Sequence, residues 1–219
     1  MTRWIGLCRR VGVTFRDRED AGRRLGERLR AERLDDPVVL GLPRGGVAVA
    51  AAVAKALGAQ LDIVVARKLG VPWQPELAFG AIAPGVVVLR QDVIQATGIG
   101  RAQTDAVIER ETARLDDLAR AYRGDRPPIA LDGRTAVIVD DGLATGATAT
   151  AAARSVRRAR PAQLLVAVPV CAHDTAVALG REVDAVVCLR DIVDFRAVGL
   201  HYVDFGQVGD AEVRALLGR

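Results

Sequence analysis

Apolar and polar positions along this chain switch between two periods, and each switch marks an element. From Asp17 to Leu34 the apolar residues Ala21, Leu25, Leu29 and Leu34 recur among arginines and carboxylates, which predicts a charged helix with one buried face. Pro37 to Leu42 is a short apolar strand that breaks at Pro43-Arg-Gly-Gly46. An alanine-rich helix follows to about Leu57, closed by Gly58. Leu61 to Ala66 reads as a strand and Arg67 to Pro75, with two prolines and a glycine, as a loop. Gly80 to Leu89 predicts a hairpin around Pro84 and Gly85, and Arg101 to Tyr122 a long amphipathic helix ended by Pro127 and Pro128. A strand through Val139, a helix from Thr148 to Arg160, and strands over Gln163–Val170 and Ala185–Leu189 complete the alternation. The stretch 191–209 is irregular, and Asp210 to Leu217 predicts a last short helix. Residues 1–14 carry no periodicity and are expected to be an extension to one domain over 15–219.

Strands alternating with helices predict a doubly wound α/β fold, a mainly parallel sheet with helices on both faces. In such sheets ligands gather at the carboxyl ends of the strands. Every candidate motif in the chain falls at such an end.

The richest is Ala136-Val-Ile-Val-Asp-Asp-Gly-Leu-Ala-Thr-Gly-Ala-Thr148, a buried strand running through two carboxylates into a turn of small residues. Asp140 and Asp141 are acceptor-only groups suited to the vicinal hydroxyls of a ribose. Gly142, Ala144, Gly146 and Ala147 leave backbone N–H groups uncovered, Thr145 and Thr148 add hydroxyls, and the following helix points its positive end at the same spot. Two acids followed by an anion nest suit a 5-phosphoribosyl group, the acids on the ring and the nest on the phosphate.

Other positions are less specific. Arg44, Gly45 and Gly46 combine close backbone approach with a bidentate donor for pyrophosphate, although the same residues make ordinary turns. Arg67 and Lys68 end a strand, and Lys68 is one of only two lysines among 31 basic residues. Glu76 suits either a metal-bound water or plain solvent. His173 and Asp174 fit a helix cap or the wall of an acceptor pocket. Gly98 and Gly100 lack the preceding strand and third glycine of a dinucleotide site.

Taken together, these motifs resemble the type I phosphoribosyltransferases. Phe15–Arg18, Pro43–Gly46, Arg67–Gly70, Pro75–Ala78, Phe195–Gly199 and Tyr202–Gln207 extend the likeness over nearly all of 15–219, to a bacterial branch whose acceptor is unassigned. The resemblance implies transfer of the phosphoribosyl group from 5-phosphoribosyl 1-diphosphate (PRPP) to a nitrogen acceptor such as a nucleobase. It implies Mg2+ held at Asp140 and Asp141 through water or the ribose hydroxyls. It also implies pyrophosphate on Arg44, Gly45 and Lys68, a closing loop after Arg67, a hood from 190–209 with Phe195, His201 or Tyr202 near the base, and a homodimer. Trp73 stands where the family pattern leads one to expect a smaller residue. A PRPP-binding sensor without turnover is the alternative, because a fold alone does not establish catalysis.

Composition narrows the rest. Half the residues are hydrophobic and only 4% are aromatic, an Ala, Val and Leu core fit for parallel strands. The net charge of +4 is spread among mixed signs without interleaved aromatics, which argues against a nucleic-acid platform. Cys8, Cys171 and Cys188 form no paired motif and suit a reducing cytoplasm, and no uncharged run is long enough to span a membrane.

Overall fold

A computed structural model of the protein describes residues 3–6 and 14–218. The strands are β1 (Arg3–Gly6), β2 (Pro37–Gly41), β3 (Gln60–Ile63), β4 (Arg67–Val71), β5 (Gln74–Ala83), β6 (Val86–Leu89), β7 (Thr135–Val139), β8 (Gln163–Ala172) and β9 (Ala185–Ile192). The helices are α1 (Arg18–Leu29), α2 (Gly45–Leu57), α3 (Gln91–Thr97), α4 (Arg101–Arg123), α5 (Ala147–Arg157), α6 (His173–Leu179) and α7 (Asp210–Leu216), with a short 3-10 turn over Val198–His201.

Six strands form one parallel sheet in the order β1-β9-β8-β7-β2-β3. The chain leaves β2 toward β3 on one side and leaves β7 toward β8 and β9 on the other. The direction of winding therefore reverses between β2 and β7, and this switch point opens the crevice in which such sheets bind ligands. All five β7 residues are buried, so its Val-Ile-Val run is fully enclosed and delivers Asp140 to the crevice.

Helices cover both faces. Leu25 and Leu29 of α1 and Val49, Ala50 and Val53 of α2 pack with Val39, Val137 and Leu165 of the sheet. Ala149, Ala152 and Val156 of α5 and Ala176 and Leu179 of α6 fill the opposite face. Helix α1 lies close on α2 because Gly22 and Gly26 face it; a Cβ on Gly22 would collide with the Val49 carbonyl oxygen. That approach, with the Asp17 side chain accepting from the Asp20 N–H at 2.8 Å, sets the start of α1 at the crevice.

A second sheet, antiparallel β4-β5-β6, packs with α3, α4 and α7 around Phe79, Val107, Leu115 and Tyr122. The expected loop over Arg67–Pro75 is here largely strand, with only Pro72 and Trp73 at the turn. Register shifts beside Gly70 absorb the prolines: a Cβ on Gly70 would collide with the Pro75 carbonyl oxygen, so glycine lets the strands pair there. Helix α3 is likewise not visible in the periodicity.

In the stretch expected to be an extension, Arg3–Gly6 pairs with β9 as an edge strand, and Cys8 lies outside the described residues. Cys171 and Cys188 are buried free thiols. Among the described residues no helix is long and apolar enough to cross a membrane.

Candidate active site

The crevice joins two of the motifs directly. Asp140 follows β7 and Gly45 follows β2, on either side of the switch point. A Cβ on Gly45 would collide with Asp141 Oδ2, and one on Gly46 would fall 2.8 Å from Asp140 Oδ1. Only glycine at both positions lets the loop backbone lie against the two carboxylates. The peptide between Pro43 and Arg44 is cis.

Each carboxylate has one oxygen engaged. Asp140 Oδ1 accepts the Asp141 N–H at 2.9 Å, and Asp141 Oδ2 accepts Arg18 Nε at 2.9 Å. Burial pushes both carboxyls above the ordinary range. At Asp140 the Asp141 charge adds to this effect; at Asp141 the Arg18 guanidinium offsets part of it. Such a pair is short of positive charge, and a cation or donor hydroxyls would relieve it.

Arg18 has no signal of its own in the sequence, although the Phe15–Arg18 segment belongs to the resemblance. Its guanidinium also donates to the Gly206 carbonyl at 2.7 Å and lies 3.9 Å from the centre of the Phe205 ring. Tyr202 donates its hydroxyl to the Asp141 carbonyl at 2.6 Å and packs against Phe15. The 195–206 segment is thus fastened to the second aspartate by side chains far apart in sequence. Val198 reaches over Gly142, where a Cβ would meet it at 2.5 Å.

After Asp141 the chain turns through Gly142, Leu143, Ala144 and Thr145 to Gly146, whose φ of +71° is left-handed. Leu143 is buried and staples the turn to β8, while Ala144 and Thr145 are exposed. Helix α5 begins at Ala147 and Thr148 with no side-chain cap on its first N–H groups. An uncapped, glycine-initiated helix start is an anion site in form.

The cations stand on two sides. Arg44 is half-exposed at the start of α2, 3.7 Å from Asp210. Arg67 donates to Glu111 Oε2 at 2.7 Å, and Arg110 and Arg114 meet the other oxygen of the same carboxylate. Lys68, half-exposed, sits 3.7 Å from the fully exposed Glu76 across the hairpin. A cavity of about 650 Å3 is lined by Arg67, Lys68, Arg110, Arg114, Glu76 and Thr148, so the hairpin cations share a space with the helix start. Arg110 and Arg114 carry no signal in the sequence, because α4 shows them only as surface charges. A larger cavity of about 810 Å3, between α1, α2 and α7, takes in Arg18 but neither Asp140 nor Asp141. Both carboxylates stand at the switch point, and the turn 142–146 leads from them to the uncapped start of α5.

In the irregular segment Phe195 and His201 stack at 5.7 Å, and burial followed by Arg190 lowers His201. His173 is the first residue of α6 rather than its cap, and pairs through Nδ1 with Asp191 at 2.8 Å.

The oxygen-only pair of Asp140 and Asp141 fits magnesium, which is commonly held by one or two carboxylates together with substrate phosphates.

The model of the phosphoribosyl transferase domain matches residues 16–203. The Mycobacterium tuberculosis protein Rv0571c, named as a phosphoribosyl transferase, is 50% identical over 206 residues, which make up 94% of this chain and 46% of that protein. The chain therefore spans about half the length of the curated relatives it matches. The crystal structure of TT1426 from Thermus thermophilus superposes with a TM-score of 0.78 at 43% identity, covering 93% of this chain and 97% of that one. The acidic switch point, the glycine loop beside it and these likenesses agree: the chain belongs to the phosphoribosyl transferase family.

Proposed function

We propose that the chain transfers the 5-phosphoribosyl group from PRPP to a nitrogen acceptor, a nucleobase or related amine, with release of pyrophosphate. The observation that carries this reading is the contact of Gly45 and Gly46 with Asp141 and Asp140 at the switch point, beside the uncapped start of α5. A ribose on the carboxylates then has its 5-phosphate toward Thr145–Thr148 and its pyrophosphate toward the Pro43–Gly46 loop.

In this reading Asp140 and Asp141 accept from the ribose hydroxyls and hold Mg2+ through them or through water. Magnesium supplies charge neutralisation for the pyrophosphate. The N–H groups of Gly146, Ala147 and Thr148, with the hydroxyls of Thr145 and Thr148, take the 5-phosphate. Arg44 and the backbone at Gly45 receive the leaving pyrophosphate. Lys68, across the hairpin cavity, meets the charge that develops as the C1′–O bond breaks. Arg67 acts at one remove, since Glu111 holds its guanidinium. Catalysis comes from positioning and charge compensation.

The test is pyrophosphate release from magnesium and PRPP with pooled purines, pooled pyrimidines and simple amines. Release that requires one pool supports the transferase and names its acceptor class. Binding of PRPP without release from any pool would turn the reading to a PRPP sensor. Sedimentation of the same preparation checks the proposed homodimer.

A further inference from the structure

Three guanidiniums converge on one buried carboxylate beside the hairpin. Arg67 Nε donates to Glu111 Oε2 at 2.7 Å, while Arg110 Nε and Arg114 Nη1 donate to Oε1 at 3.2 and 2.7 Å. The Glu111 side chain is only 6% exposed. Burial raises its carboxyl, but hydrogen bonds from Arg67 and Arg110 hold it below its ordinary range, so it stays ionised at neutral pH. Arg110 and Arg114 stand four residues apart on one face of α4, and Arg67 reaches them from β4. Neutralising Glu111 takes one arginine, and the fold brings three. Each commits a single nitrogen to the carboxylate in the hydrogen bonds among the described residues, which leaves most of a five-donor fork for another acceptor.

The same three arginines line the cavity of about 650 Å3, a volume suited to a small ligand. Lys68 is a fourth cation on its wall, and its carboxylates are Glu111 and the exposed Glu76. Four cations against two carboxylates leave an excess of two positive charges. Like charges gathered in this way repel one another, and a dianion relieves that repulsion where a carboxylate would offset only half of it. None of Asp140, Asp141, Gly45 and Gly146 lines the cavity, and Thr148 marks where it borders the start of α5.

We propose that this cavity binds the phosphate group of a ligand other than PRPP, held by Arg110 and Arg114 together with Arg67. A phosphate monoester carries about −1.5 to −2 charges at neutral pH, which matches the excess. Guanidinium forks meet its oxygens two at a time. Glu111 acts as a positioning residue, since it fixes one nitrogen of each arginine and turns the others toward the ligand. The proposal goes beyond the transferase reading and uses it only to say which site PRPP fills. The phosphate belongs either to a phosphorylated acceptor or to a separate phosphorylated effector.

The experiment titrates inorganic phosphate calorimetrically into the protein, with and without saturating PRPP and magnesium, at constant ionic strength. It compares the wild type with Arg110→Gln and Arg114→Gln, each of which leaves two arginines on Glu111 and is checked by urea unfolding. Phosphate is expected to bind the PRPP-loaded wild type. Each substitution should weaken it about tenfold or more while PRPP affinity stays within about twofold, the scale of one charge-assisted hydrogen bond lost in the cavity alone. No phosphate binding to the PRPP-loaded wild type, binding untouched in both variants, or equal losses of phosphate and PRPP affinity would each overturn the assignment. Failure of PRPP to bind at all would sink the transferase reading alone. The titration without PRPP then decides the cavity: affinity lost in the variants supports it, and affinity kept overturns it. In the pyrophosphate-release assay, phosphate that competes with the acceptor assigns the cavity to a phosphorylated acceptor. Phosphate that changes the rate without competing assigns it to an effector.

Discussion

The switch-point crevice and the β4–β5 hairpin both border the candidate site, yet one is crowded and the other open. At the crevice Asp141 is held between Arg18 and Gly45, and no Cβ fits where the loop glycines lie. At the hairpin Lys68 and Glu76 face each other at 3.7 Å with little cover, and Trp73 at the turn is 56% exposed. The crevice is pre-organised, its geometry fixed by packing before any ligand arrives. The hairpin cations are not, and charges so exposed interact weakly until water is excluded. In the proposed reading the crevice is the part that recognises PRPP, and the hairpin adds to the step in which pyrophosphate departs.

That contrast can be broken most sharply at Gly45. Gly45→Ala sets a methyl onto Asp141 and 2.9 Å from Arg18 Nε. We expect PRPP affinity to fall more than about a hundredfold and stability by about 1–3 kcal/mol, the usual cost of overpacking. Calorimetric titration and urea unfolding measure the two losses. Arg18→Gln should cost about 2–3 kcal/mol, because it strands a largely buried Asp141. A double-mutant cycle with Asp141→Asn should give a coupling of at least about 1 kcal/mol.

Glu111 offers a test on the hairpin side. Burial raises its carboxyl, but hydrogen bonds from Arg67 and Arg110 and the charges of Arg67 and Arg114 outweigh this and leave it below its ordinary 4.5. A depressed carboxylate contributes stability that is present above pH 4.5 and lost as pH falls through the folded value. Glu111→Gln should therefore cost about 1–2 kcal/mol at neutral pH, and the gap to wild type should close below about pH 4.5 in urea unfolding. Smallest in stability terms is Lys68→Ala, with a change within about 0.5 kcal/mol because the side chain is half-exposed. Its turnover should fall about tenfold while PRPP affinity changes less, as read from kcat and KM.

What the sequence disclosed follows the same division. The buried Val-Ile-Val strand, the two aspartates and the small-residue turn are consecutive, so their chemistry can be read as a string. Gly45 and Gly46 are suggestive alone and persuasive once paired with that string. Arg18 and Glu111 are not legible, because their partners lie 123 and 44 residues away and only tertiary packing joins them. The hairpin reads as loop for a local reason: prolines at 72 and 75 and glycine at 70 look like turn residues, yet the register shifts beside Gly70 accommodate them within paired strands. Edge strand β1 carries no alternation to betray it.

The measurement that bears most directly on the central claim is a calorimetric titration of PRPP with magnesium into the wild type and into Asp140→Asn with Asp141→Asn. Losing two charge-assisted hydrogen bonds at about 1.5–3 kcal/mol each predicts affinity weaker by on the order of a hundredfold or more. A folded double mutant that binds PRPP as tightly as the wild type would contradict the assignment of these aspartates to the ribose.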